Sequence, residues 1–163
     1  MNLKINTAAS FQGENSSDLV AWGDSYATGI PMIDSQHMEL VSLTNQLYRA
    51  CLDRSENTGS AFKETMSRMV EYVHFHFGAE QKLLESINYP GYKEHKLQHD
   101  TLVKNILDAA RDFNEGKQFV PNHFVRTLKD WIFGHIAVND KKYAAYVQEQ
   151  KKNGLFNETI LNH

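Results

Sequence analysis

The sequence predicts an all-α protein: an antiparallel up-down-up-down four-helix bundle with an irregular N-terminal arm and a short C-terminal helix. Three observations predict it. Four segments carry apolar residues at spacings of three and four, the pattern of a helix with one buried face. No run alternates with period two for long enough to argue a strand. The three prolines, Pro31, Pro90 and Pro121, all fall between the periodic segments, where they punctuate the chain.

The elements follow in order. Residues 1–19 are polar and aperiodic and read as a flexible arm, residues 20–150 as the bundle, and residues 151–163 as a tail. Trp22 to Ile33 contains two glycines and Pro31 and reads as a packed, irregular lead-in. The first helix is expected to start at Asp34 or Ser35, either of which can cap it. Its inward stripe is Leu40, Val41, Thr44, Leu47, Tyr48 and Cys51, with the Thr44 hydroxyl free to bond the carbonyl one turn earlier. The second helix should run from Ser60 to Ile87, with Met69, Val73, Phe77, Leu83, Leu84 and Ile87 on one side. The run "NYPGY" then turns the chain. A third helix, Tyr92 to Asn114, carries Leu102, Ile106, Ala109, Ala110 and Phe113, and "EGKQFVP" ends it. The fourth begins near Pro121, a residue suited to a first helical turn, and carries Phe124, Leu128, Trp131 and Ile132. A short helix from Asp140 to about Lys152 completes the chain. Connections this short imply antiparallel neighbours.

Composition narrows the function classes. A chain of 163 residues suggests one domain with its own core. Net charge is −3, from 17 basic and 20 acidic residues. That lacks the basic excess of a nucleic-acid binder. A single cysteine, Cys51, cannot form an internal disulfide and fits a reducing compartment. No stretch approaches the ~20 apolar residues that cross a bilayer. The first residues lack the apolar region of a signal peptide. The expectation is a cytoplasmic protein with no nucleic-acid partner and no membrane insertion.

Histidines and carboxylates occupy places where the stripes call for leucine. His37 continues the first stripe backward from Leu40. The second helix steps Met69, Val73, His76, Glu80, Leu84, and the third steps Tyr92, His95, His99, Leu102. The fourth steps Leu128, Trp131, His135. Residues four apart in a helix differ by about 40°, so His76 and Glu80 share a face, as do His95 and His99. His135 and Asp140 are five apart and would diverge by about 140° in a continuous helix. For both to face inward the helix must end or deform between them, and "VND" (Val138 to Asp140) is the expected place, since Asn tolerates a left-handed C-cap.

Five imidazoles and two carboxylates buried without partners would cost roughly several kcal/mol each. Bundles build metal sites from facing helices. Seven donors exceed the needs of one first-row ion, so a two-metal site is expected, and an all-N/O donor set argues against a thiolate centre. Other residues read as ordinary. His74 lies far round the helix from His76, so the Glu71–His74 pair should be a solvated one. His123 and His163 should lie at the surface, and Cys51 should pack in the core.

These residues resemble the hemerythrin family, in particular its bacterial type. Trp22 followed by "GIPMIDSQHMELVSLTNQL" resembles the family's opening motif. "HFGAEQKLL" resembles its His-Phe-x-x-Glu block, and "YPGYKEHKLQH" its Tyr-Pro then His-x-x-x-His block. "WIFGHIAVND" resembles its Trp-x-x-x-His-Ile-x-x-x-Asp block. The match spans roughly Val20 to Val147. The resemblance implies a pair of non-heme irons joined by an oxo or hydroxo bridge. His95, His99 and His135 would hold one iron and His37 and His76 the other, with Glu80 and Asp140 bridging both. The second iron then keeps one open position, where the family binds dioxygen. Phe77, Trp131, Ile132 and Ile136 match the apolar oxygen pocket, and Gln36 and Tyr143 are candidates to orient the imidazoles.

Two positions depart from the pattern: Gln81 stands where many relatives have a second Glu, and Ile132 where the family often has Leu. The implied function is reversible dioxygen binding, for carriage, storage or delivery, without enzymatic turnover. The alternatives are an oxygen or redox sensor acting through a protein partner, and a di-iron oxidase, peroxidase or nitric oxide reductase.

Overall fold

A computed structural model describes residues 18–53, 58–117 and 121–156. The expected arm up to residue 17, the tail from residue 157 and His163 lie outside them. The described chain is helical, with no strand. Helices α1 (Pro31–Leu52), α2 (Thr58–Ser86), α3 (Tyr92–Asn114) and α4 (Pro121–Gly134) form the bundle, preceded by a 3-10 turn (Asp24–Tyr26). A π-helical turn (His135–Asp140) leads directly from α4 into α5 (Lys141–Lys152).

Cross-helix pairs give the connectivity. On α1 and α2, Gln36 meets His76 and Gln46 meets Arg68, so rising numbers meet falling ones. On α2 and α3, Phe62 meets Phe113, while Glu85 near the end of α2 meets Tyr92. On α1 and α4, Tyr48 meets Arg126, while His37 near the start of α1 faces Asp140 just past the end of α4. Each neighbour is antiparallel, the up-down-up-down order.

Helix α1 starts earlier than expected. Pro31 occupies its first turn, and neither Asp34 nor Ser35 is its N-cap. Proline presets the helical φ and brings no N–H to satisfy there. Asp34 instead sits inside the first turn, where the helix dipole favours its charge. Its carboxylate accepts the Thr28 N–H at 2.6 Å, the Thr28 hydroxyl at 2.7 Å and the Gly29 N–H at 3.0 Å, clamping the lead-in to the helix. Farther along, buried Asn45 accepts the Leu19 and Val20 N–H groups at 3.0 and 3.1 Å and returns its amide to the Val20 carbonyl at 2.8 Å.

Just past the end of α2 stands Asn88, whose φ of 51° is the left-handed region that Asn tolerates. Asn88 N–H bonds the Glu85 carbonyl and Tyr89 N–H the Leu84 carbonyl, so the last turn closes as a Schellman motif. The Thr44 hydroxyl donates to the Leu40 carbonyl at 2.8 Å, as its position on the stripe suggests. On α4 the buried face is rotated from the expected one: Val125, Leu128, Ile132 and Phe133 are buried, while Phe124 and Trp131 are half-buried. No described helix is long and apolar enough to cross a membrane.

Two apolar clusters fill the bundle. The larger includes Leu40, Val73, Phe77, Leu102, Ile132 and Ile136. The smaller comprises Ile30, Ile33, Leu83, Leu84, Tyr143 and Val147. Along each contributing helix a polar residue separates the two: His37 between Ile33 and Leu40, Glu80 between Phe77 and Leu83, Asp140 between Ile136 and Tyr143. The polar layer is thus enclosed by hydrophobic layers above and below.

Candidate metal centre

Every inward histidine and carboxylate expected from the sequence lies in this layer: His37, His76, Glu80, His95, His99, His135 and Asp140 are all buried. Their donor atoms form two groups, His95, His99, His135 and Asp140 in one and His37, His76 and Glu80 in the other, each within 4.8 Å. His135 and Asp140 reach the same group because the π turn spans the interval between them. An i→i+5 turn adds one residue per turn, so residues five apart share a face. The helix therefore deforms without ending, and Asn139 forms no left-handed cap: Asn88 is the one non-glycine residue with positive φ among those described.

The two carboxylates lie between the groups. Asp140 Oδ2 is 3.3 Å from His37 Nε2, while its Oδ1 is 3.1 Å from His135 Nε2 and 3.6 Å from His95 Nε2. Glu80 Oε1 is 3.7 Å from His37 Nε2, and Oε2 is 3.2 Å from His99, 3.5 Å from His95 and 3.7 Å from His76. Asp140 turns one oxygen toward each side of the layer, while Glu80 turns Oε1 toward His37 and Oε2 toward His95, His99 and His76.

This arrangement fits metal ions. His37 Nδ1 and Nε2, His95 Nε2, His99 Nδ1, Glu80 Oε2 and both Asp140 oxygens are buried without a hydrogen-bond partner in the protein. Each such atom costs about 1–3 kcal/mol unless something occupies it. His99 Nε2 and His135 Nε2 face each other at 3.0 Å. Two imidazole nitrogens about 2.1 Å from one ion and at right angles would be about 3.0 Å apart.

Electrostatics separate the two histidines of the smaller group. Burial opposes the charge on His37, but Asp140 and Glu80 outweigh it and raise its pKa to about 9. Burial dominates at His76 and lowers its pKa to about 4 despite Glu80. Burial likewise opposes ionisation of Glu80, but His76 and the other surrounding imidazoles hold its carboxyl well below the usual range. Burial and the Glu80 charge oppose ionisation of Asp140, yet His135 and His37 keep its carboxyl below its ordinary value.

A supporting shell holds the donors. Gln36 Oε1 lies 3.0 Å from His76 Nδ1, so that nitrogen carries the proton and Nε2 is left bare toward the layer. Tyr143, buried, donates its hydroxyl to Glu80 Oε1, so it secures a carboxylate where an imidazole was the expected target. Burial, Glu80 and Asp140 push the Tyr143 phenol far up, which keeps it a donor. Phe77 stacks on His99 with ring centroids 3.6 Å apart, and Trp131 on His135 at 4.6 Å. Phe77, Trp131, Ile132 and Ile136 line a small hollow beside His76, His135 and Asp140, with room of about 10 Å³ for the centre of a water-sized sphere. That is about the least space that holds one water.

Leu40, Val73 and Leu102 also line the hollow, although the sequence marks them only as core. The lead-in contributes Trp22, whose ring lies 6.2 Å from that of His37, and its Ala27 carbonyl accepts the ammonium of Lys141, the residue after Asp140. Trp22 stood out only as part of a motif, and no periodicity signals either contact. His74, Glu71 and His123 are exposed, and Cys51 is half-buried against the larger cluster.

The chain's residues 28–147 match the family model described as the hemerythrin HHE cation binding domain. It is 29% identical over 130 residues to a bacteriohemerythrin of Stenotrophomonas maltophilia, covering 80% of this chain and 82% of that one. It is 30% identical over 122 residues to a hemerythrin-like protein of Naegleria gruberi, covering 75% and 88%. A crystal structure of wild-type hemerythrin superposes with a TM-score of 0.73 at 26% identity, covering 78% of this chain and 96% of that one.

Proposed function

Because this chain belongs to the hemerythrin family, we propose that it binds dioxygen reversibly at two non-heme irons held by His37, His76, Glu80, His95, His99, His135 and Asp140. One observation carries the reading: the two carboxylates face both sides of a layer that has three imidazoles on one side and two on the other. An iron pair bound there supplies the electrons that hold dioxygen reversibly.

The side with His37 and His76 has one donor fewer, and the hollow lined by Phe77, Ile132 and Ile136 touches His76 on that side as well as His135 and Asp140 on the other. Those apolar side chains offer water no hydrogen-bond partner and leave a space about the size of one water. Gln36 fixes the tautomer that presents His76 Nε2 as a ligand. Tyr143 fixes the Glu80 carboxylate through its Oε1 and leaves Oε2 free to face the layer.

Reconstitution with iron tests the reading. Two irons per chain are expected, and His76→Ala should lose oxygen binding while the group of His95, His99 and His135 still retains metal. An oxygenated spectrum unchanged in His76→Ala would remove that residue from the centre. Sustained turnover with a reductant and peroxide, far above autoxidation, would favour an enzyme over a binder.

A further inference from the structure

We propose that Tyr143, Tyr89 and Tyr146 form a relay that carries single oxidising equivalents from the buried centre to the protein surface. The proposal rests on reading the centre as a redox-active metal pair. Tyr143 touches that centre twice: its hydroxyl donates to Glu80, and its ring lies edge-on to His95 with centroids 5.4 Å apart. The next ring outward is Tyr89, 6.4 Å away, and beyond it Tyr146 at 5.4 Å. Tyr143 is fully buried, whereas Tyr89 and Tyr146 are half-buried, so the rings run from the core to solvent.

The middle ring occupies a made space. Tyr143 and Tyr146 sit three apart on α5 and share a face. Tyr89 comes from the α2–α3 turn and bridges them. Gly91 has φ −85° and ψ 7°, a backbone that other residues can adopt. A Cβ there would lie 2.8 Å from the Tyr89 ring. Glycine at this position clears room for the ring.

A phenol gives up an electron together with its proton, so a relay needs a proton acceptor at its inner end. Glu80 supplies one through the existing hydrogen bond. When hydrogen peroxide over-oxidises the centre, Tyr143 gives it one electron and its proton shifts to Glu80. Tyr89 then returns an electron to Tyr143, which takes its proton back from Glu80, while the Tyr89 proton leaves to water. Tyr146 refills Tyr89 in the same way, and a soluble one-electron reductant, ascorbate in the test, refills Tyr146. Each equivalent consumes one electron and one proton from the reductant.

The test uses the iron-loaded full chain with hydrogen peroxide, rapid freezing and electron paramagnetic resonance. Wild type should show a tyrosyl radical that ascorbate quenches quickly. Tyr89→Phe should leave a radical stranded on Tyr143, and Tyr146→Phe one stranded on Tyr89, each quenched several-fold more slowly, while the oxygen-binding spectrum of both stays that of wild type. A second measurement needs no iron: a flash-generated ruthenium(III) oxidant in solution should place the radical on Tyr143 in wild type and fail to do so in Tyr89→Phe. Equal quenching and equal Tyr143 radical yield in Tyr89→Phe would overturn the relay. So would a radical abolished only by Trp131→Phe, the half-buried ring stacked on His135. Absence of oxygen binding in wild type, with the flash result intact, would overturn the oxygen-binding reading and spare the connection between the rings.

Discussion

Gln36 Oε1 lies 3.0 Å from Nδ1 of His76, across the α1–α2 interface and 40 residues away in sequence. Both groups are buried, so no water competes for the imidazole N–H. Gln36→Leu keeps similar bulk and removes the acceptor. Loss of such an outer partner typically costs about 10–100-fold in metal affinity. Competition with a chelator measures it, and an unchanged affinity would show that packing alone orients His76.

His37 and His76 stand face to edge, ring centroids 4.8 Å apart, yet titrate on opposite sides of neutrality. In the metal-free chain His37 keeps its proton up to about pH 9, whereas His76 is neutral above about pH 4. Metal must therefore displace a proton from His37 at neutral pH and none from His76. Affinity should rise with pH by up to about tenfold per unit from this group and flatten above the His37 value. Calorimetry in buffers of different ionisation enthalpy counts the proton. A pH-independent affinity between neutrality and pH 9 would contradict the assignment of His37.

Ile132 is buried in the wall of the hollow. Ile132→Phe should fill that space, slow oxygen uptake, and destabilise the fold by about 1–3 kcal/mol through overpacking. Iron content should stay unchanged. Stopped-flow oxygenation and denaturant unfolding read the two effects separately, and normal uptake would place the oxygen path elsewhere.

Asn45 ties the lead-in to α1 through the backbone of Leu19 and Val20. Asn45→Ala leaves those groups without their protein partner and should cost about 1–3 kcal/mol of stability. The effect should appear as a lower denaturation midpoint with the metal-site spectrum intact. A shifted spectrum would mean that the lead-in also shapes the centre, through Trp22 against His37.

The helices and the inward polar residues were legible because burial repeats with the helical period: His76 and Glu80, or His95 and His99, stand one turn apart whatever surrounds them. The pairing of Gln36 with His76 was legible only as a candidate, since the contact joins two helices. Other features depend on what no local pattern records. The spacing of His135 and Asp140 demanded a distortion, but composition does not distinguish a π turn from a helix end. On α4 Leu128 and Ile132 face the core as expected, but Val125 and Phe133 take the buried places expected of Phe124 and Trp131, because this helix is apolar on more than one face. Asp34 looked like a cap, and only the folded lead-in, with Thr28 and Gly29 against it, shows it as a clamp.

The most direct measurement is the visible spectrum of the iron-loaded protein, reduced without oxygen, then exposed to oxygen and purged again. Reversible binding predicts a charge-transfer band that appears on oxygenation and disappears on purging, with two irons per chain. Immediate irreversible oxidation, or a chain that retains no iron, would contradict it.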